Sequence, residues 1–208
     1  MAITYPLSIP THTGIRSYEL RATNAIAYSA SPFTFSGTSY EYPGKAWTLD
    51  ITLPQMKRAD AEIWISWLIS LKGQKGTFYA GDFQAVTPRG SARDADTATI
   101  NGAVSSGSSL SIDSAPASKT NYLRVGDYIQ VGSGTSRQLF KCLEDADTNS
   151  SGQTTVEVWP NVRTSISDGA AITFESAQGI FRLVDNQVSF SVGELANYGV
   201  TFAATEAV

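Results

Sequence analysis

The chain has 208 residues, a single cysteine and a single histidine, with 42% hydrophobic and 16% charged residues. That length allows one large domain or two small ones, and that composition excludes a disordered chain. A net charge of −4 leaves no polybasic footprint for a nucleic-acid backbone, and the lone Cys142 excludes an internal disulfide framework.

The share of charged residues is well below the usual quarter, which hints at a surface meant to be covered by partners. No run approaches the ~18 apolar residues of a membrane span. The opening "MAITYPLSIPTHTG" lacks a basic start and an apolar core, so no secretory leader is expected and folding in a cytosol is.

In chain order, "IRSYELRATNAIAYS" alternates around Ile15, Tyr18, Leu20 and Ala22 and reads as a strand. "FTFSGTSYEYPG" sets Phe33 and Phe35 before Ser36-Gly37-Thr38, with Tyr40 and Tyr42 after it. Gly37 can take the positive φ of a tight turn, so the stretch reads as a hairpin with aromatic cross-strand pairs. A hairpin of this length is marginal alone and leaves unpaired edges. Phe33, Phe35, Tyr40 and Tyr42 are therefore the candidate subunit-interface residues. The alternative is a hairpin folded back onto its own sheet. "AWTLDITLP" follows as a strand with Trp47, Leu49 and Ile51 on one face, closed by Pro54.

The period then changes. In "KRADAEIWISWLISLKGQKG" the residues Ile63, Trp64, Trp67, Leu68 and Leu71 fall at helical spacing, and Ile65 and Ile69 broaden the stripe. Asp60 and Glu62 suit the first turn, Lys72 the last, and Gly73 the stop. A helix over 58–72, lying on a sheet with Trp64, Trp67 and Leu68 in the core, is predicted. "GTFYAGDF" resumes a strand through Phe78 and Tyr79.

At about Val86 the composition shifts to Ser, Gly, Ala, Thr and Asp. Short strand candidates ("TATING", "SLSID", "YLRVGDYIQVG", "RQLFKCLED", "TTVEVWP", "AAITFES") recur between turn residues at the intervals of a small barrel. After Ala177 the aromatic-rich alternation of the first half returns, with Ile180, Phe181 and Leu183, then Val188, Phe190 and Val192, then Tyr198, Val200 and Phe202. The last strands alone have too little core, so they are expected to complete the sheet of the first half. The expected organisation is mainly β: a β-sandwich domain with one α-helix, residues 1–85 and 177–208, interrupted by a small β-barrel, residues 86–176. Insertion of this kind is tolerated where a turn's ends lie close together.

No catalytic, cofactor-binding or metal-binding residue stands out. His12, in a Pro/Thr/Gly-rich stretch far from Cys142, reads as a surface or capping residue. Cys142, between Phe140 and Leu143, reads as a buried apolar side chain. Asp145, Asp147 and Asn149 match the first positions of a calcium loop, but Ser150 and Val156 stand where Gly and Glu are needed. A polar turn is the expected reading there. Of the tryptophans, Trp159 before Pro160 is the best exposed-aromatic candidate. No phosphate-loop, dinucleotide or zinc-protease motif is present.

"LRVGDYIQVG", "QLFKCLEDADTNSSGQTTVEVWPNVR" and "DGAAITFESAQGIFRLVD", with "MKRADAEIWISWLISLKGQKGTF" upstream, resemble the distal tail protein family of long-tailed, non-contractile bacteriophages. The likeness is one of texture and order over most of the chain. It implies a ring-forming β-sandwich domain and an inserted barrel like an oligonucleotide/oligosaccharide-binding (OB) fold, on the outside of a homohexameric ring. It also implies a structural, non-enzymatic virion protein assembled in the host cytoplasm, with no cofactor. Its partners would be further copies of itself, the tail tube protein, the tail-tip hub protein, and receptor-binding or fibre proteins of the baseplate. Direct contact with membrane or nucleic acid is not expected. The same residues also fit a tail tube or terminator part, a carbohydrate-binding adhesion module, or an enzyme acting on cell-wall glycan.

Overall fold

The computed structural model describes residues 3–11, 14–193 and 195–207. The chain begins with a long antiparallel hairpin, β1 (Ser17–Ala30) and β2 (Gly37–Thr52), followed by the helix α1 (Arg58–Ser70) and β3 (Thr77–Ala80). Six strands come next: β4 (Thr99–Ile100), β5 (Gly107–Asp113), β6 (Tyr128–Val131), β7 (Gln138–Cys142), β8 (Thr154–Val162) and β9 (Ile172–Thr173). The chain closes with β10 (Gly179–Leu183), β11 (Phe190–Val192) and β12 (Tyr198–Glu206).

These strands form two sheets. The first runs β1-β2-β12-β10-β3, with β11 on β12. β12 pairs with β2 through Phe202↔Ile51 and Ala204↔Leu49, and β10 pairs with β3 through Phe181↔Phe78. The second runs β4-β5-β8-β7-β6-β9, and a bridge between Thr99 and Ala171 brings its two ends together. The fold is thus mainly β, of β-sandwich type with one helix, and its second sheet is a nearly closed barrel.

The helix obeys its apolar period. Ala61, Trp64, Ile65 and Leu68 are buried at spacings of three, one and three residues, one stripe laid against the sheet. Two expectations need correction. Ile63 and Ile69 lie outside that stripe and are exposed. The helix ends at Ser70, and Lys72, expected in its last turn, instead takes a left-handed conformation beside Gly73. Trp67 is half-buried, packing edge-on against Trp64 and Phe78, with its indole N–H unpaired.

Each sheet has a core. Leu49, Ile51, Trp64, Leu68, Phe78 and Phe181 centre the first; Ile100, Leu110, Ile129, Phe140, Val156 and Phe174 centre the barrel. β6 and β7 serve both. Ile129, Val131, Phe140 and Cys142 point into the barrel, whereas Tyr128 and Leu139 join the first core. Successive side chains of a strand point to opposite faces, so strands covered on both sides lose the usual apolar/polar alternation. That is why every residue of β6 is buried.

The seam between the sheets is polar as well as apolar. Trp47 donates its indole N–H to the Leu139 carbonyl at 3.1 Å and meets Trp159 edge-to-face at 4.4 Å. Arg163 holds Glu206 through two bonds, Nη1 to Oε2 at 2.7 Å and Nη2 to Oε1 at 2.6 Å. The Trp47 backbone N–H donates to the same carboxylate at 3.0 Å. A bidentate guanidinium–carboxylate pair with added N–H donors is the arrangement that offsets the cost of burying both charges.

Candidate assembly surface

The hairpin of β1 and β2 changes character along its length. At its root, Leu49 and Ile51 are fully buried across from Leu20 and Tyr18. Beyond Asn24↔Lys45 the register shifts, and Ala25 alone faces residues 42–44 of the other strand. Pro43 stands inside that bulge, where the ladder does not call on an N–H. From there outward every residue except Ser31 is exposed as far as Gly44, and the ribbon projects with no second layer on either face.

This arm is aromatic and nearly uncharged. Residues 22–44 carry a single charged side chain, Glu41, and it is paired with Lys45 at 2.7 Å. On one face Tyr40 and Tyr42 meet edge-to-face at 4.8 Å. On the other, Ile26 (opposite Glu41) and Tyr28 (opposite Ser39) are 55% and 70% exposed. Ile26 and Tyr28 are not among the sequence candidates, although their alternation in "NAIAYSA" is a usable signal.

The tip corrects the expected turn. Residues 31–36 form it, closed by Ser31 N–H to the Ser36 carbonyl at 2.9 Å and Phe35 N–H to the Ser31 carbonyl at 2.9 Å. Phe33 and Phe35 therefore sit in the turn and not on a strand arm, 91% and 86% exposed. Gly37 is the first residue of β2, and the left-handed position falls to Phe35, with φ 56°. Gly37 answers a different need: a Cβ there would lie 2.4 Å from the Tyr28 hydroxyl, so the missing side chain makes room for that ring. The structure brings Tyr40 and Tyr42 together and sets Phe33 and Phe35 apart from them at the tip.

The arm's base is held by the barrel. The Trp159 indole N–H donates to Asn24 Oδ1 at 2.8 Å, and Lys45 Nζ donates to Asn161 Oδ1 at 3.0 Å. Arg163 adds a bond to the Lys45 carbonyl at 2.9 Å. Asn24 and Lys45 are cross-strand partners at the last regular pair before the bulge, so β8 and the residue after it grip the ribbon where it leaves the body. Trp159 is accordingly half-buried in the seam, not the exposed aromatic expected of it.

The other polar candidates are engaged locally. Asp145 and Asp147 each accept a backbone N–H, from Val125 at 2.7 Å and Asn121 at 2.6 Å, while Asn149 Oδ1 accepts those of Ser151 and Gln153. Among the described residues no group of three or more His, Cys, Asp or Glu is placed to hold a metal ion. Cys142 is buried on β7, and burial together with the nearby Asp127 carboxylate pushes its thiol up to about 12. Asp127, also buried, accepts the backbone N–H groups of Arg89, Gly90 and Arg124. His12 lies outside the described residues. No helix among the described residues is long and apolar enough to cross a membrane.

Within the fold, then, the exposed aromatic surface is that of a two-stranded arm projecting from a mainly β protein. No family model matches this sequence, and no curated protein matches it.

Proposed function

We propose that this chain is a structural assembly protein whose arm packs against another copy, forming a ring at the tip of a phage tail between tail tube and hub. The observation that carries the proposal is the arm, residues 22–44 of the β1–β2 pair, which exposes Ile26, Tyr28, Tyr40 and Tyr42 and carries a single, already paired charge. Exposed strand edges are normally blunted by lysine, proline or a covering element, because bare edges template pairing with other chains. Outside its bulge this ribbon has no such protection. A contiguous exposed apolar surface of this kind marks an interaction site. The phage-tail setting comes from the resemblance noted in the sequence, as does the number six, and the sandwich-plus-barrel order is compatible with both. The four aromatics named from sequence, Phe33, Phe35, Tyr40 and Tyr42, belong to this interface, with Ile26 and Tyr28 added. In this setting the protein works without cofactor or catalytic residue, and its partners are itself, the tube and hub proteins, and receptor-binding proteins.

Electron microscopy of the purified protein tests the reading: rings with an open centre are expected. The Phe35→Ser/Tyr40→Ser variant should give folded monomers, with unchanged circular dichroism and a monomer mass by light scattering. Intact rings in that variant would place the interface elsewhere. A wild-type protein that stays monomeric and binds glycan would make it an adhesion module.

A further inference from the structure

The arm needs a receiving surface, and the protein carries a matching one at the arm's other end. Beside the first residues of β1 lies a groove of about 470 Å³, lined chiefly by Ile9, Pro10, Ile15, Tyr18, Tyr79 and Phe83. Tyr18 and Phe83 form its floor, edge-to-face at 5.1 Å, and the Tyr18 hydroxyl donates to Asp82. None of its described lining side chains is charged, whereas four other concavities of the surface each include Asp, Lys or Arg. The arm's tip, "SPFTFS", is equally free of charge.

We propose that the tip loop of one copy, led by Phe33 and Phe35, seats in the Ile15–Tyr18–Phe83 groove of the next. This rests on the assembly reading above and names the two surfaces that meet. Three observations carry it. The tip is 91% and 86% exposed at Phe33 and Phe35, so the subunit's own groove does not hold it. Tyr18 is the second residue of β1, and the remaining strand rises about 3.3 Å per residue, which sets the tip about 40 Å from the groove. A subunit cannot satisfy its own pair of surfaces, but a neighbour can. Finally, a standard interface takes roughly 20–30 residues from each side, so the six-residue tip would act as the anchor and the exposed flanks of residues 22–44 would supply the rest of the arm's share. Charge matching favours this surface among the five: a neutral aromatic tip buries no unpaired charge against a groove whose described lining side chains are uncharged. The contact is head-to-tail, so it closes into a ring when the rotation per subunit fits and otherwise extends as a filament.

Site-directed cross-linking tests the contact. Cys142 is buried, so cysteines introduced by Thr34→Cys at the tip and Gln84→Cys at the groove rim are the accessible thiols. Mixing the two single variants with a short bismaleimide should give a covalent dimer that neither variant gives alone. The variant carrying both should give a ladder of covalent oligomers. Independently, Phe83→Ser should weaken self-association by about tenfold or more, as loss of an aromatic anchor does, and Phe33→Ser should do the same. If wild-type protein assembles but Thr34→Cys and Gln84→Cys do not cross-link, the arm seats elsewhere and this contact is wrong while the assembly reading stands. If the wild-type protein is monomeric at all concentrations, both fall.

Discussion

The two halves of the β1–β2 hairpin share strands and aromatic content, yet one is packed into the body and the other faces water. At the root, Trp47, Leu49 and Ile51 are buried under the helix, β12 and the barrel. Past the bulge at Asn24, Ile26, Tyr28, Tyr40 and Tyr42 face water on both sides of a bare ribbon. Apolar alternation marks a strand face suited to being covered, but it does not say whether the body of the protein reaches it. What divides the halves is the reach of the body: β12 pairs with β2 only as far as Thr48, and the Trp159–Asn24 and Asn161–Lys45 bonds from β8 hold the last regular pair before the bulge. Substitutions in the root should therefore damage folding, and substitutions in the arm should damage assembly.

The largest expected effect is at the root. Trp47→Ala removes a buried ring from the shared core, its bond to Leu139 and its contact with Trp159. A stability loss of roughly 3–5 kcal/mol is expected by urea denaturation. A loss below about 1 kcal/mol would mean that root and barrel are only loosely joined. Next comes Glu206→Gln, which leaves Arg163 buried without its counter-charge. Breaking such a pair costs about 3 kcal/mol, and the further change Arg163→Met should restore part of it.

The alkaline limb sharpens the same contrast. Tyr18 at the root is pushed up to about 12, by burial first and then by its bond to Asp82; Cys142 in the barrel is pushed up to about 12 by burial first. Both folded pKa values lie above the ordinary 10.0 and 9.0, so the fold favours the neutral forms. The stability they contribute is complete below about pH 9 and is lost as pH rises through about 12. Melting temperature should fall across that window, and Cys142→Ala should flatten part of the slope. An unchanged profile in that variant would show that the thiol does not titrate with unfolding.

Arm substitutions should produce the smallest changes in stability. Ile26→Ser should move the unfolding free energy by no more than about 0.5 kcal/mol, as surface changes do, while lowering the assembled fraction in sedimentation. Substantial unfolding would show that the arm folds back on its own subunit. Phe35→Gly is expected to separate the two properties most cleanly. It relieves the left-handed backbone at φ 56° and should stabilise the monomer by about 1 kcal/mol, yet it removes a tip ring and should weaken association. A variant that is less stable in the monomer would contradict that division.

The mainly β class, the single helix and the return of aromatic-rich strands after Ala177 are legible in the sequence alone, because helix and strand periods and turn residues act over a few neighbours. Cys142 on a buried strand and the aromatic richness near residue 40 are legible for the same reason. The turn itself is not, since local rules place it at Gly37. Glycine there answers to the Tyr28 ring across the ribbon, a contact between chain segments that such rules do not register. Ile26 and Tyr28 escape notice because their alternation looks like that of Tyr18 and Leu20, and only the packing shows that the body covers one pair and not the other. Trp159 likewise looks free beside Pro160 until the seam places it between Trp47 and Asn24. Which apolar face is core and which is surface depends on what lies opposite it in space. Glu206 of β12 lies 159 residues beyond Trp47, and Asn161 of β8 lies 116 residues beyond Lys45, so these strands close on the hairpin only in the folded state.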